Sequence, residues 1–120
     1  MIYNPVECLA RPLCEKYGFS IMPSSDNRVD TKDRIMFLTP DAYSATMLGW
    51  IIVAHECAHV EQCSGWLYSA YEALPLRAIQ LIIEWRASNR ATEILEMFFD
   101  EFKVEDAKNF YRESIAKYLR

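Results

Sequence analysis

The chain has 120 residues, 52% of them hydrophobic and 25% charged, and a formal net charge of −4. That length suits one domain, residues 1–120, and is too short for two separate cores. The acidic balance, with no basic run interleaved with aromatics, argues against nucleic acid as the main partner. The longest apolar stretches, residues 47–54 and 78–83, fall well short of the ~20 residues that a membrane span needs. Met1-Ile2-Tyr3-Asn4-Pro5 has no basic segment leading into an apolar core, so a secretory signal is not expected. A cytoplasmic protein is the expectation, and its four cysteines (Cys8, Cys14, Cys57, Cys63), with no C-x-x-C pair, are then expected as free thiols.

Val6, Leu9, Leu13 and Tyr17 space out a helix over residues 5–17, loosened at Pro12 and suitably ended by Gly18. Residues 19–22 are short and apolar and run into the turn chemistry of Pro23-Ser24-Ser25-Asp26-Asn27, which predicts a strand entering a loop. After the charged stretch 28–34, Ile35-Met36-Phe37-Leu38 reads as a second strand, and the two make a small sheet. Thr39 as N-cap and Pro40 at the first helical position open the next helix, with a break near Ser44 and a stop at Ser64-Gly65. The aromatic stretch 66–74 (Trp66, Tyr68, Tyr71) either walls a cleft or packs under a loop. Pro75 opens a long helix to about residue 99, with apolar positions that include Leu76, Ile82, Ile83, Ala87, Ala91, Ile94, Leu95 and Phe98. A final amphipathic helix over about 103–119 places Val104, Ala107, Phe110, Tyr111, Ile115, Tyr118 and Leu119 on one side. A helix, a small sheet and then mainly helices make the class α+β.

His55-Glu56-Cys57-Ala58-His59 has the form H-E-x-x-H at the end of an apolar helical run. Imidazoles at i and i+4 project from one helix face about one turn apart, which lets both grip a single Zn²⁺. Glu56 stands beside them, where it can take a proton from a water activated by the zinc. The chain has only two histidines, and chance poorly explains their standing four apart with a glutamate after the first. A purely structural zinc is disfavoured, because such sites usually close with four protein ligands and prefer Cys.

A catalytic zinc generally takes three protein ligands, and no third histidine exists. Glu84 is the best candidate: it interrupts the apolar run Leu81-Ile82-Ile83-Glu84-Trp85, where an ionised carboxylate is costly unless it is paired or bound to metal. The alternative is a solvent-facing Glu beside a buried stripe. Cys63 lies four residues after His59 on the same helical face, but its extra turn of rise favours simple packing. Ser88, one turn after Glu84, is placed to hydrogen-bond to a ligand.

Three blocks resemble the YugP-type neutral zinc metallopeptidases, within the larger group that uses glutamate as third zinc ligand. Residues 34–43, Arg34-Ile35-Met36-Phe37-Leu38-Thr39-Pro40-Asp41-Ala42-Tyr43, look like the family's strand leading into a short helix. Ala54-His55-Glu56-Cys57-Ala58-His59-Val60-Glu61-Gln62 looks like its A-H-E-x-G-H-x-x-Q motif, and Glu84-Trp85-Arg86-Ala87-Ser88-Asn89-Arg90-Ala91 looks like its E-F-D-A-S-R-R-A motif. Ala58 stands where the family has Gly and Arg86 where it has Asp, and the family's membrane helices have no counterpart in these residues. The resemblance implies a minimal zincin-like fold, with a small sheet packed on the H-E-x-x-H helix and further helices around it. It implies His55, His59 and Glu84 as ligands of one Zn²⁺ and Glu56 as the general base. It also implies that the strand at 34–38 is the sheet edge along which an extended peptide lies.

The expected function is that of a zinc-dependent endopeptidase acting on a peptide or protein substrate. The alternative is a partner-specific regulatory metallopeptidase-like protein of the ImmA/IrrE type, acting on a repressor or other single partner. Retention of Glu56 favours the enzyme, since zinc binding alone does not need it. A small chain without an obvious specificity domain favours a partner that supplies specificity. Help for a developing oxyanion falls to Tyr68, Tyr71 or Arg77, among which the sequence does not choose.

Overall fold

The computed structural model describes residues 3–63, 65, 73 and 77–119. Among them the chain is α+β, with four helices and a small three-stranded mixed sheet. A π-helical turn, Val6–Ala10, runs directly into α1, Arg11–Tyr17. Pro12 has no N–H to give the Cys8 carbonyl and its ring crowds that group, so the interruption expected there becomes a change of helical type just upstream. Gly18 ends α1 in the left-handed region at φ 74°, where only glycine is free of steric cost.

Strands β1 (Ser20–Pro23), β2 (Arg28–Asp30) and β3 (Ile35–Leu38) lie in the order β1-β3-β2. β3 runs parallel to β1 and antiparallel to β2, with Asp30 opposite Ile35 and Arg28 opposite Phe37. Two expectations are corrected here. The charged stretch after Asn27 contains a third strand, β2, and β3 is therefore the centre of the sheet, not its edge. The reason is visible in the burial: Met36 and Leu38 are wholly buried while Ile35 and Phe37 are half-buried, so β3 is held by the core and both of its backbone edges are taken. The two edge strands are β1 and β2, and of these β2 is the shorter and the less exposed.

A 3₁₀ turn, Pro40–Tyr43, follows β3, and the backbone is extended at Ser44. The expected break near Ser44 is present, but the expected cap is not. Thr39 makes no side-chain cap, whereas Thr46 accepts from the Gly49 N–H at 3.1 Å and starts α2, Met47–Gln62. Gly49 lies so close to the 3₁₀ turn that a Cβ would collide with the carbonyl oxygens of Ser44 and Asp41. α2 is the central element: Trp50, Ile51, Val53, Ala54, Cys57, Ala58 and Val60 are all buried in it.

Helix α3, Arg77–Glu96, makes the most extensive contact with α2, and α4, Glu101–Tyr118, packs on α3 after an Asp100 cap that accepts from the Lys103 N–H at 3.0 Å. Ala54 and Ala58 on α2 and Ala87 and Ala91 on α3 are wholly buried, and such small side chains allow helices to approach closely. The arms of Arg90 grip the Glu61 carboxylate at 2.9 and 3.2 Å, a paired contact that sets α3 against α2. The stripe expected on α3 holds for Ile83, Ala87, Ala91, Ile94 and Leu95 but not for Ile82 or Phe98, which are largely exposed. On α4, Val104, Ala107 and Tyr111 are buried, whereas Phe110 is exposed, as is Leu119 just past the helix end. The expected stop at Ser64, the aromatic stretch 66–72, Leu76 and the helix start at Pro75 lie outside the described residues. No described helix is long and apolar enough to cross a membrane.

Candidate metal centre

His55 and His59 stand one turn apart on α2, and their rings meet edge to face with centroids 4.7 Å apart. Glu84 projects from α3 into the same point. Its Oε2 lies 2.9 Å from His55 Nε2, its Oε1 lies 3.2 Å from His59 Nε2, and the two Nε2 atoms are 3.1 Å apart. Three donor groups from two helices thus converge, and they form the one group of metal-ligating side chains found among the described residues. The donor set fits a tetrahedral cation with nitrogen and oxygen ligands. Bond lengths of about 2.0–2.1 Å around such an ion give donor-to-donor edges of about 3.3 Å, close to the spacing seen here.

The charges around this point are arranged accordingly. Burial works against the Glu84 carboxylate, but hydrogen bonds from both imidazoles outweigh it and hold the carboxyl well below the usual range. Burial likewise opposes the His59 imidazolium, yet Glu84 and Glu56 together push its pKa upward.

Glu56 is only 5% exposed, and burial raises its pKa against the pull of the two histidines. Its Oε2 has no hydrogen-bond partner. The carboxyl group lines a cleft of about 880 Å³ whose walls come from β2, α2, α3 and α4, with Val29 and Asp30 on one side and Ile52, Gln80 and Phe110 on the others. A buried carboxylate whose pKa is raised by its surroundings is suited to general base work.

All four residues singled out for the site, His55, Glu56, His59 and Glu84, are therefore brought to one cleft. Cys63 caps the end of α2 and Cys57 is buried in the core, and neither belongs to the donor group. All four cysteines are free thiols. Ser88 lines the cleft, but its buried Oγ has no partner, so the expected hydrogen bond to a ligand is not made. Tyr68 and Tyr71 lie outside the described residues, and Arg77 is exposed at the start of α3.

Tyr111 is the residue that sequence reasoning missed. Its ring lies beside the His55 imidazole at 5.6 Å and 31°, and its hydroxyl donates to the Ile51 carbonyl at 2.6 Å. Ile51 is one turn before His55, so α4 supports the histidine from behind through both ring and helix. On the sequence Tyr111 was one more apolar position of an amphipathic helix, and nothing local marks it out. Gln62 also touches the centre, 2.9 Å from His59 Nδ1. Compared with family models, with curated proteins and with solved structures, the chain matches none of them.

Proposed function

We propose that this protein is a metal-dependent peptide hydrolase of zincin-like fold, with His55, His59 and Glu84 holding one zinc ion and Glu56 as general base. The observation that carries the reading is the convergence of two imidazole nitrogens and a carboxylate within 3.2 Å of one another, beside a buried carboxylate with a free oxygen. The resemblance of the three sequence blocks to the YugP-type peptidases supports the same assignment. A zinc ion bound there supplies a Lewis acid and lowers the pKa of water.

The remaining work belongs to the chain's own residues. Glu56 Oε2 takes the proton of the attacking water, holds it in a pocket where burial favours the protonated carboxyl, and returns it to the leaving amine nitrogen. Of the two edge strands, β2 lines the cleft, and its outer edge is the one against which a peptide can lie extended. Tyr111 keeps the His55 ring in place while this happens.

The test is Glu56→Gln. Zinc content and fold should match the parent, because Glu56 is not a ligand, while hydrolysis of an unfolded protein substrate should fall by ~10² or more. Normal zinc content with unchanged hydrolysis would remove Glu56 from the mechanism.

A further inference from the structure

We propose that Gln62 is the positioning residue of the centre, its amide oxygen fixing the proton of His59 on Nδ1 and its amide nitrogen holding the segment that presents Glu84. The inference rests on the metal reading above and adds to it the residue that sets the histidine's tautomer. Gln62 is the last residue of α2, three positions after His59, so the two side chains lie on neighbouring parts of one helix face. Its Oε1 is 2.9 Å from His59 Nδ1, and its Nε2 donates to the Ile83 carbonyl at 3.1 Å.

The second contact decides the first. A backbone carbonyl only accepts, so the NH₂ group of Gln62 must face Ile83, and the amide oxygen must then face His59. The reverse orientation would set two oxygens against each other with no proton between them. An amide oxygen also only accepts, so the facing ring nitrogen, Nδ1, has to carry a hydrogen. In a neutral imidazole with its hydrogen on Nδ1, Nε2 offers a lone pair, and Nε2 is the atom that meets His55 and Glu84. With its hydrogen held on Nδ1 by Gln62, a neutral His59 turns the Nε2 lone pair toward the point where a cation would sit.

Ile83 is the residue before Glu84, so the same amide ties the end of the helix bearing both histidines to the helix bearing the carboxylate. The Glu61–Arg90 pair makes a second tie between these helices without touching any ligand. Losing Gln62 therefore leaves the helices joined but the imidazole unguided.

Two variants separate the two ends of the amide. Gln62→Met keeps the length and removes both contacts, whereas Gln62→Glu keeps an acceptor for His59 and loses the donor for Ile83. Zinc affinity is read by competition with a chelator. The His59 Nδ1–H is read by ¹H–¹⁵N spectra of the zinc-loaded proteins, and stability by thermal melting.

The parent should show a hydrogen-bonded, slowly exchanging Nδ1–H. Gln62→Met should lose that protection and about 10–100-fold in zinc affinity. Gln62→Glu should keep the protected Nδ1–H and most of the affinity while melting lower than the parent. A purely structural role would lower both melting temperatures and leave the affinity and the Nδ1–H of Gln62→Met as in the parent, and that pattern overturns the inference alone. A parent chain that takes up no zinc overturns the metal reading and this inference with it.

Discussion

The two buried faces of α2 follow different rules. One face puts Trp50, Val53, Cys57 and Val60 into an apolar cluster with Met36, Leu38 and Leu95, and the indole N–H of Trp50 is itself satisfied by the Tyr3 carbonyl at 2.6 Å. The other puts His55, Glu56 and His59 against Glu84, and here the bonding is incomplete. Among the described residues the buried side-chain atoms without a partner are His55 Nδ1, Glu56 Oε2 and Ser88 Oγ, and all three residues line the one cleft. Folded proteins rarely leave such atoms unpaired, and those that remain concentrate where something else is to be bound. The apolar face holds α2 in place, and the polar face keeps unmet bonding capacity for a ligand.

The contrast predicts that damage to the two faces will read out differently. The largest effect on folding should come from the apolar side: Leu95→Ala removes a wholly buried side chain and should cost about 2–5 kcal/mol in denaturant unfolding. The protein that remains folded should still take up one zinc per chain. If Leu95→Ala instead destroyed zinc binding in the folded fraction, the two faces would not be separable.

On the polar side, a bound zinc at a hundredfold excess over its dissociation constant adds about 2.7 kcal/mol, so a strong chelator should lower the melting temperature by roughly 10 °C. Glu84→Ala should lose most of that sensitivity, because it removes the ligand that joins α3 to α2. Melting curves that coincide with and without chelator in the parent protein would mean that no metal links these helices.

Smaller and opposite in sign is the effect of pH on the metal-free chain. The pKa of His59 is raised on folding, because Glu84 outweighs burial, so its contribution is fully present below about 6.5 and is lost as pH rises through the folded value. Glu56 acts in the same direction, since burial raises its carboxyl and the folded chain keeps a proton that the unfolded chain releases above about 4.3. Glu84, whose pKa is depressed, contributes above about 4.3 and loses that contribution only in stronger acid. Metal-free protein should therefore melt lower as pH climbs from mildly acidic to mildly alkaline. Zinc-loaded protein should do the reverse, because acid protonates the histidines and releases the metal. Parallel slopes in the two forms would contradict the assignment.

The smallest effect expected is at Cys63. Replacing it by Ala should leave zinc affinity nearly unchanged, and X-ray absorption should show only nitrogen and oxygen neighbours at about 2.0–2.2 Å. A sulfur shell near about 2.3 Å would bring a thiolate into the centre and displace Glu84 from it.

Much of the centre was legible in the sequence because it depends on local geometry. Two histidines four apart on a helix share a face whatever the rest of the chain does, and a charged residue inside Leu81-Ile82-Ile83-Glu84-Trp85 is a candidate for pairing, although Ile82 and Trp85 beside it are exposed. The sheet was less legible. β2 has only Val29 as an apolar residue, so it carries no periodic signal, and its place at the edge follows from pairing with β3.

What the sequence by itself determined is the helical presentation of His55, Glu56 and His59, with both imidazoles on one face of α2. What only the tertiary structure decided is which groups meet. Glu84 reaches His55 across 29 positions of chain, and Tyr111 reaches the Ile51 carbonyl across 60. Such contacts depend on how α3 and α4 settle against α2, which is set by the close fit of small buried residues and the Glu61–Arg90 pair. Periodicity along a chain reports which face of a helix is buried, but not which residue of a distant helix will lie opposite.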